Sequence, residues 1–302
     1  MRNPRNVVRF VAGCALMSIA LAVSGCMGGP GENTDRLHAQ ASAALARWDA
    51  AAKSAGGGVA FVPTSDTTLF VGEDWGPNID GGAAKLALMS GYFKATITLP
   101  TDTPSDGQIR WNDGTALATS VLSAQAAFQA MTANGSSCSD CTVPLTVTSA
   151  TLTTATFETS RGKAIAPAWE FTLKDTPVKI DQVAVATETI TVAEPSWDPY
   201  NAPIGTRIDS ATIDVTGLVL TANFVGAGGN ANQSCGADYT AEAVESDTAV
   251  VVIIHAKTHV SLLGEACDAV GHFRTAQVTL AKPLGNRAVL EVQTGMPVSV
   301  TH

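Results

Sequence analysis

The spacing of hydrophobic positions changes along the chain, and each change predicts an element. Residues 10–23 are almost unbroken in apolarity and follow a head containing Arg2, Arg5 and Arg9. From Asp35 to Ser54 the apolar residues Leu37, Ala41, Ala44, Leu45, Trp48 and Ala52 recur at three- and four-residue steps, giving one apolar helix face. Asn33 or Thr34 can cap that helix, Gly56-Gly57-Gly58 can end it, and its apolar face is expected to pack on the first domain. Beyond residue 59 short strand-like runs take over, at 59–63, 68–71, 93–99, 145–158, 168–173, 178–185 and 188–192. A further set lies at about 212–215, 218–225, 239–244, 249–255, 276–280, 288–293 and 298–300. Asn112-Asp113-Gly114 after Ile109-Arg110-Trp111 signals a hairpin, because Gly tolerates the positive φ that such turns need. Ser123 caps a second short helix over about 124–133. Residues 249–254 are continuously apolar, as for a central strand covered on both faces.

Together these elements predict a mainly β protein, antiparallel and sandwich-like, with an N-terminal helix and one further short helix. Three prolines among residues 195–203 suppress helix and ladder alike. The expected domains are therefore 34–194, α+β but β-rich, and 205–302, β-sandwich-like or a small barrel, joined by a Pro-rich linker at 195–204.

The apolar run at 10–23 falls short of the ~20 residues that a membrane-crossing helix requires, but suits a signal peptide core of about 7–15. Leu21-Ala22-Val23-Ser24-Gly25-Cys26 follows it, small residues closing on a cysteine, the pattern of a bacterial lipobox. The expectation is removal of residues 1–25, a diacylglycerol on the Cys26 thiol, and a flexible tether at 26–33. The mature chain would then lie outside the cytoplasmic membrane, held by acyl chains that each gain about 0.8 kcal/mol per buried methylene.

Charge narrows the partners. The leader holds three of the 18 basic residues and none of the 27 acidic ones, so the mature chain is more acidic than the −9 of the whole. Phosphate contacts dominate nucleic-acid affinity, and an acidic chain without a basic cluster excludes that partner class. What remains is the membrane, through the lipid anchor, and an envelope protein or small ligand.

Of six cysteines, Cys14 leaves with the leader and Cys26 carries the lipid. Cys138, Cys141, Cys235 and Cys267 remain, an even number in an oxidising compartment, hence disulfides. Three pairings are open, and 138–141 with 235–267 keeps each bridge local to one half of the chain.

Chemistry is poorly signalled. Cys138-Ser139-Asp140-Cys141 has the spacing of a thiol-redox motif, but no helix N-terminus follows to stabilise a thiolate, so a structural bridge is the simpler reading. His255, His259 and His272, with Glu265 and Asp268, form the only histidine cluster; a surface strand end explains them more simply than zinc. No Gly-x-Ser-x-Gly elbow occurs, and Ser160 and Ser246 sit in turn-like contexts. Glu158 with Glu170, or Glu242 with Glu245, could act as a glycosidase pair only at the right separation. Trp169-Glu170-Phe171 reads as core. Trp75, Trp111, Trp197 and Tyr200 lie in or beside turns, and Trp197 and Tyr200 mark a candidate binding patch at the domain junction. No cofactor and no metal site is expected.

Several segments resemble a family of uncharacterised actinobacterial lipoproteins and secreted proteins. They are Cys138-x-x-Cys141 with 145–156, Thr159-Ser160-Arg161-Gly162, Ala166-Pro167-Ala168-Trp169-Glu170-Phe171, Cys235-Gly236-Ala237-Asp238-Tyr239, Glu245-Ser246-Asp247, Arg274-Thr275-Ala276 and Pro283-Leu284-Gly285-Asn286-Arg287. The resemblance implies a secreted or lipid-anchored protein and brings no known activity. The expected function is non-catalytic binding or scaffolding at the outer face of the cytoplasmic membrane. The alternatives are an extracytoplasmic hydrolase or a thiol-redox protein using Cys138 and Cys141.

Overall fold

A computed structural model describes residues 30–55, 61–72, 74–133, 141, 143–191, 203–260, 266–267 and 270–301. Among these residues the strands are organised into two seven-stranded sheets, accompanied by three helices. The protein is mainly β, as its alternating patterns predict.

The first sheet comprises β1 (Thr68–Val71), β2 (Phe93–Ala95), β3 (Gly107–Trp111), β4 (Ala116–Thr119), β5 (Leu145–Thr159), β6 (Gly162–Leu173) and β7 (Lys179–Val183). β5 and β6 form a long hairpin around the 159–162 turn. The other edge of β6 is shared: β7 takes residues 168–172 and β3 takes 164–165. β1 flanks β7, β4 flanks β3, and β2 lies parallel to β5. The expected Asp-Gly hairpin forms between β3 and β4, with Gly114 at φ 85 and its N–H donating to Trp111 O at 3.1 Å.

Alternation along β6 sends its side chains to two different cores. Trp169, Phe171 and Leu173 face α2 (Gly81–Met89) and α3 (Ala124–Thr132), together with Ala84, Ala87, Ala127 and Met131. Ala164, Ala166 and Ala168 face Phe61, Trp111 and Phe157. Ser123 caps α3 as expected, accepting from the Ala126 N–H at 3.2 Å. Helix α2 is additional to the two helices that the sequence pattern suggests. Gly81-Gly82 looks like a loop, but Asp80 ahead of it is an N-cap whose carboxylate accepts from Gly82 and Ala83 N–H groups.

The second sheet runs β10-β11-β13-β14-β8-β9-β12. Its strands are β8 (Ile208–Ile213), β9 (Val219–Gly226), β10 (Ala237–Glu245), β11 (Ala249–Thr258), β12 (His272–Thr279), β13 (Ala288–Glu291) and β14 (Pro297–Thr301). Most pairs are antiparallel, while β11–β13 and β14–β8 are parallel. The sheet curls until its first and last strands meet: the Arg274 guanidinium of β12 lies 5.3 Å over the Tyr239 ring of β10. Its interior holds Ile208, Leu220, Phe224, Val250, Val252 and Val289.

β11 is the central strand that its unbroken apolar run predicts. Val250, Val252 and Ile254 point into the barrel. Ala249, Val251 and Ile253 point outward against Leu37, Ala41, Ala44, Leu45 and Trp48 of α1 (Pro30–Ser54). This corrects the expectation that α1 packs on the first sheet. The outer face of β11 and β13 is a larger apolar surface needing cover, and helix periodicity does not say which sheet will supply it. The helix also begins at Pro30, inside the stretch expected to be tether; proline suits a first turn, where its missing N–H has no intrahelical acceptor.

Of two other expected strands, 59–63 keeps only isolated bridges at Phe61 and Pro63, and 188–192 only one at Ile190. Phe61 enters the first sheet's core while its neighbour Val62 enters the α1 core, so one extended dipeptide bolts the two sheets together. The 195–202 part of the expected linker lies outside the described residues.

Candidate functional site

Among the described residues, a cleft of about 580 Å³ opens beside β1. Ser65, Asp66, Thr67 and Thr68 supply polar groups; Phe70, Leu88, Met89, Phe93 and Met131 supply apolar surface. Its geometry follows from sheet edges. Among the described residues, β1 and β2 each have a strand neighbour on one side only, and the ends of α2 and α3 close the space between them.

Backbone register decides what β1 presents. Val183 N–H donates to Thr67 O at 2.9 Å. In the alternating antiparallel ladder, Leu69 and Val71 therefore exchange bonds with β7, while the N–H and C=O groups of Thr68 and Phe70 point away from it, into the cleft. Among the described residues no backbone group pairs with them. Phe70 packs at 5.2 Å on Trp75, which is itself buried in the core. Nothing in the sequence marks these residues, because whether a strand is an edge depends on its partners.

A second recess, of about 500 Å³, is lined by Asp49, Glu245, Ser246, Asp247, Thr248, Ala281 and Lys282. Its charges are largely spent internally. Lys282 Nζ lies 2.6 Å from Asp247, Arg287 lies 2.5 Å from Glu245, and the Ser246 and Thr248 hydroxyls donate to Asp49. Burial pushes the Glu245 carboxyl up, but the Ala281 N–H and Arg287 outweigh it and hold the group below its ordinary range. The recess latches the β10–β11 turn to the loop before β13.

The histidines do not converge. His255 Nε2 meets Glu242 at 2.8 Å, and His38 of α1 meets the other oxygen of the same carboxylate at 3.0 Å. The His255 hydrogen bond holds the Glu242 carboxyl below its usual range. His259 Nδ1 lies 3.1 Å from Ala231 O, and His272 opens β12 at the surface. Among the described residues no group of three His, Cys, Asp or Glu is placed to hold a metal; Glu265 and Asp268 lie outside them. Glu242 and Glu245 are three apart on β10 and so face opposite ways. Glu158 and Glu170 lie opposite Lys163 and Thr151, far apart along the β5–β6 ladder. Ser160 sits in the 159–162 turn, and Ser246 accepts from the Thr248 and Ala249 N–H groups.

Cys235 and Cys267 are disulfide-bonded, Cα to Cα 5.5 Å. Cys141 is also disulfide-bonded, whereas its expected partner Cys138 lies outside the described residues, as do Cys26, Trp197 and Tyr200. Trp75 and Trp111 are buried and so do not form an exposed aromatic patch; the Trp111 indole donates to Thr159 and stacks under Arg161. Trp169 and Phe171 are core, as expected. No protein-family model, characterised protein or solved structure matches the chain.

Proposed function

We propose that this is a cell-envelope lipoprotein, anchored through Cys26 at the outer face of the cytoplasmic membrane, which binds an extended segment of another envelope protein without acting on it chemically. The carrying observation is the edge of β1. Thr68 and Phe70 offer N–H and C=O groups on alternate residues, the spacing that an added strand satisfies, over an apolar surface of Phe70, Leu88, Phe93 and Met131 that can receive its side chains. The lipobox, the disulfides and the resemblance to extracytoplasmic actinobacterial proteins support the location.

A photo-crosslinking residue at Phe70, used in living cells, tests this reading, with the same residue at the exposed Val215 as control. The expected result is a discrete adduct from position 70 alone. Thr68→Pro should abolish it, because proline removes the outward N–H while leaving the β1–β7 bonds in place. Thr68→Ala, which loses only the hydroxyl bond to Gln182, should retain it. Adducts that are the same from positions 70 and 215, or equal loss in both Thr68 variants, would overturn the proposal.

A further inference from the structure

We infer that the barrel end carrying Phe273 rests on the outer leaflet of the membrane that holds the anchor, giving the protein a second, non-covalent membrane contact. The inference deepens the anchoring reading and depends on it.

The outer face of β9 and β12 is polar along most of its length. Thr221 faces Gln277, whose Nε2 donates to it at 3.2 Å, and Asn223 faces Thr275. The next outward pair is Val225 with Phe273, and Phe273 is 95% exposed. Gly271 lies against Val225, so close that a Cβ there would come within 2.3 Å of it, and the neighbouring Val270 is also exposed. Val260, 82% exposed, follows the end of β11. Scattered surface hydrophobics are ordinary; several at one end of a barrel whose β9–β12 face is otherwise polar form a surface with a use.

The same end gathers several strand termini. Ala227 N–H donates to Tyr239 Oη at 2.7 Å, and Arg274 donates to Gly228 O at 3.0 Å and to Ala237 O at 3.4 Å. The Cys235–Cys267 bridge ties the adjoining loops together. The 226/272 end of β9 and β12 and the 237/258 end of β10 and β11 are therefore one end of the barrel.

Helix α1 points to it. Near its C-terminus Asp49 accepts from Ser246 and Thr248 at the β10–β11 turn, the opposite end. Earlier in the helix His38 meets Glu242, part-way along β10. From His38 back to Pro30 the helix covers about 12 Å, and from Glu242 back to Ala237 the strand covers about 17 Å. The helix thus begins close to the level of the Phe273 end. Cys26 precedes Pro30 by four residues, a span of at most about 14 Å. A lipid on Cys26 is thus tethered within that reach of the helix start, which lies near the level of the apolar pair Val225–Phe273. Lys257 and Arg274 lie at this end beside Asp238, and their cationic groups would meet lipid headgroups if this end rests on the leaflet.

The test uses the full protein purified from membranes and returned to phospholipid vesicles with brominated acyl chains, which quench tryptophan at depth. Phe273→Trp should lose most of its added fluorescence, while Val215→Trp, at the far end of the barrel, should keep its own. Equal quenching of the two, or none at position 273, overturns the inference. So does an emission blue-shifted without vesicles, which would place the patch in a protein contact. Mass measurement of the N-terminal peptide separates the two levels. An unmodified Cys26 removes the anchoring reading and this one together, whereas a diacylated Cys26 with an unquenched tryptophan at 273 removes only this one.

Discussion

Trp48 shows how much one side chain can carry. It is fully buried between α1 and β11, and its indole N–H donates to Thr248 O at 3.3 Å. Trp48→Ala leaves a cavity in the α1 core and removes one of the two bonds to Thr248 O, which keeps that from the Ala288 N–H, with an expected loss of about 3–5 kcal/mol in urea unfolding. Asp181 acts in the opposite sense. It lies on β7 between Leu69 and Glu170, with one carboxylate oxygen buried and unpartnered. Burial, then the Glu170 charge, raise its pKa above 3.8 against the pull of Lys179. A raised folded value favours the protonated carboxyl, so its stabilisation is complete below 3.8 and is lost as pH rises through the folded value. Asp181→Asn should therefore raise the melting temperature at neutral pH and give no gain near about pH 3. A gain independent of pH would mean that packing, not ionisation, is responsible.

Among the elements, helices and strands formed where periodicity placed them, and departures trace to contacts between elements. Residues 188–191 are strand-like in composition, but their described backbone bridge is to Phe61, too short a partner for a ladder. Helix α2 hides behind Gly81-Gly82 because its signal, an Asp80 cap followed by Ala83-Ala84-Lys85-Leu86-Ala87, contains no wide apolar stripe. The Cys235–Cys267 bridge spans a sequence separation of 32 and ties loops rather than strands. Replacing both cysteines by serine should cost about 2–4 kcal/mol by denaturant titration, mainly through a less constrained unfolded chain. The β8–β14 sheet should remain in the circular dichroism spectrum, since its core of Leu220, Phe224, Val250 and Val289 does not include the bridge.

At the level of the whole molecule, the two sheets meet through Phe61-Val62 and through the Val300 N–H, which donates to Ser160 O at 3.1 Å. Helix α1 covers the barrel of the second sheet, while the β1 cleft belongs to the first. In the proposed arrangement the barrel meets the membrane and the first sheet offers its free edge to a partner. The vesicle measurement at Phe273 and the cellular crosslink at Phe70 report separately on those two roles.

The sequence by itself determined the quantities that depend on near neighbours along the chain. These include the apolar face of α1, the Ser123 cap, the Gly114 turn and the two-sided burial of 249–254, whereas of the three cysteine pairings it left open the structure selects Cys235 with Cys267. Each of the former follows from helix or strand periodicity or backbone sterics. The tertiary structure alone decided which sheet α1 covers, which strands are edges, and that Phe273 and the start of α1 share one end of a barrel. Those outcomes depend on pairing between distant residues: β2 finds its place only when β5, some 50 residues later, lies beside it, and the cleft lies where, among the described residues, neither β1 nor β2 has a second neighbour. An edge is a property of the assembled sheet, and no local pattern encodes it.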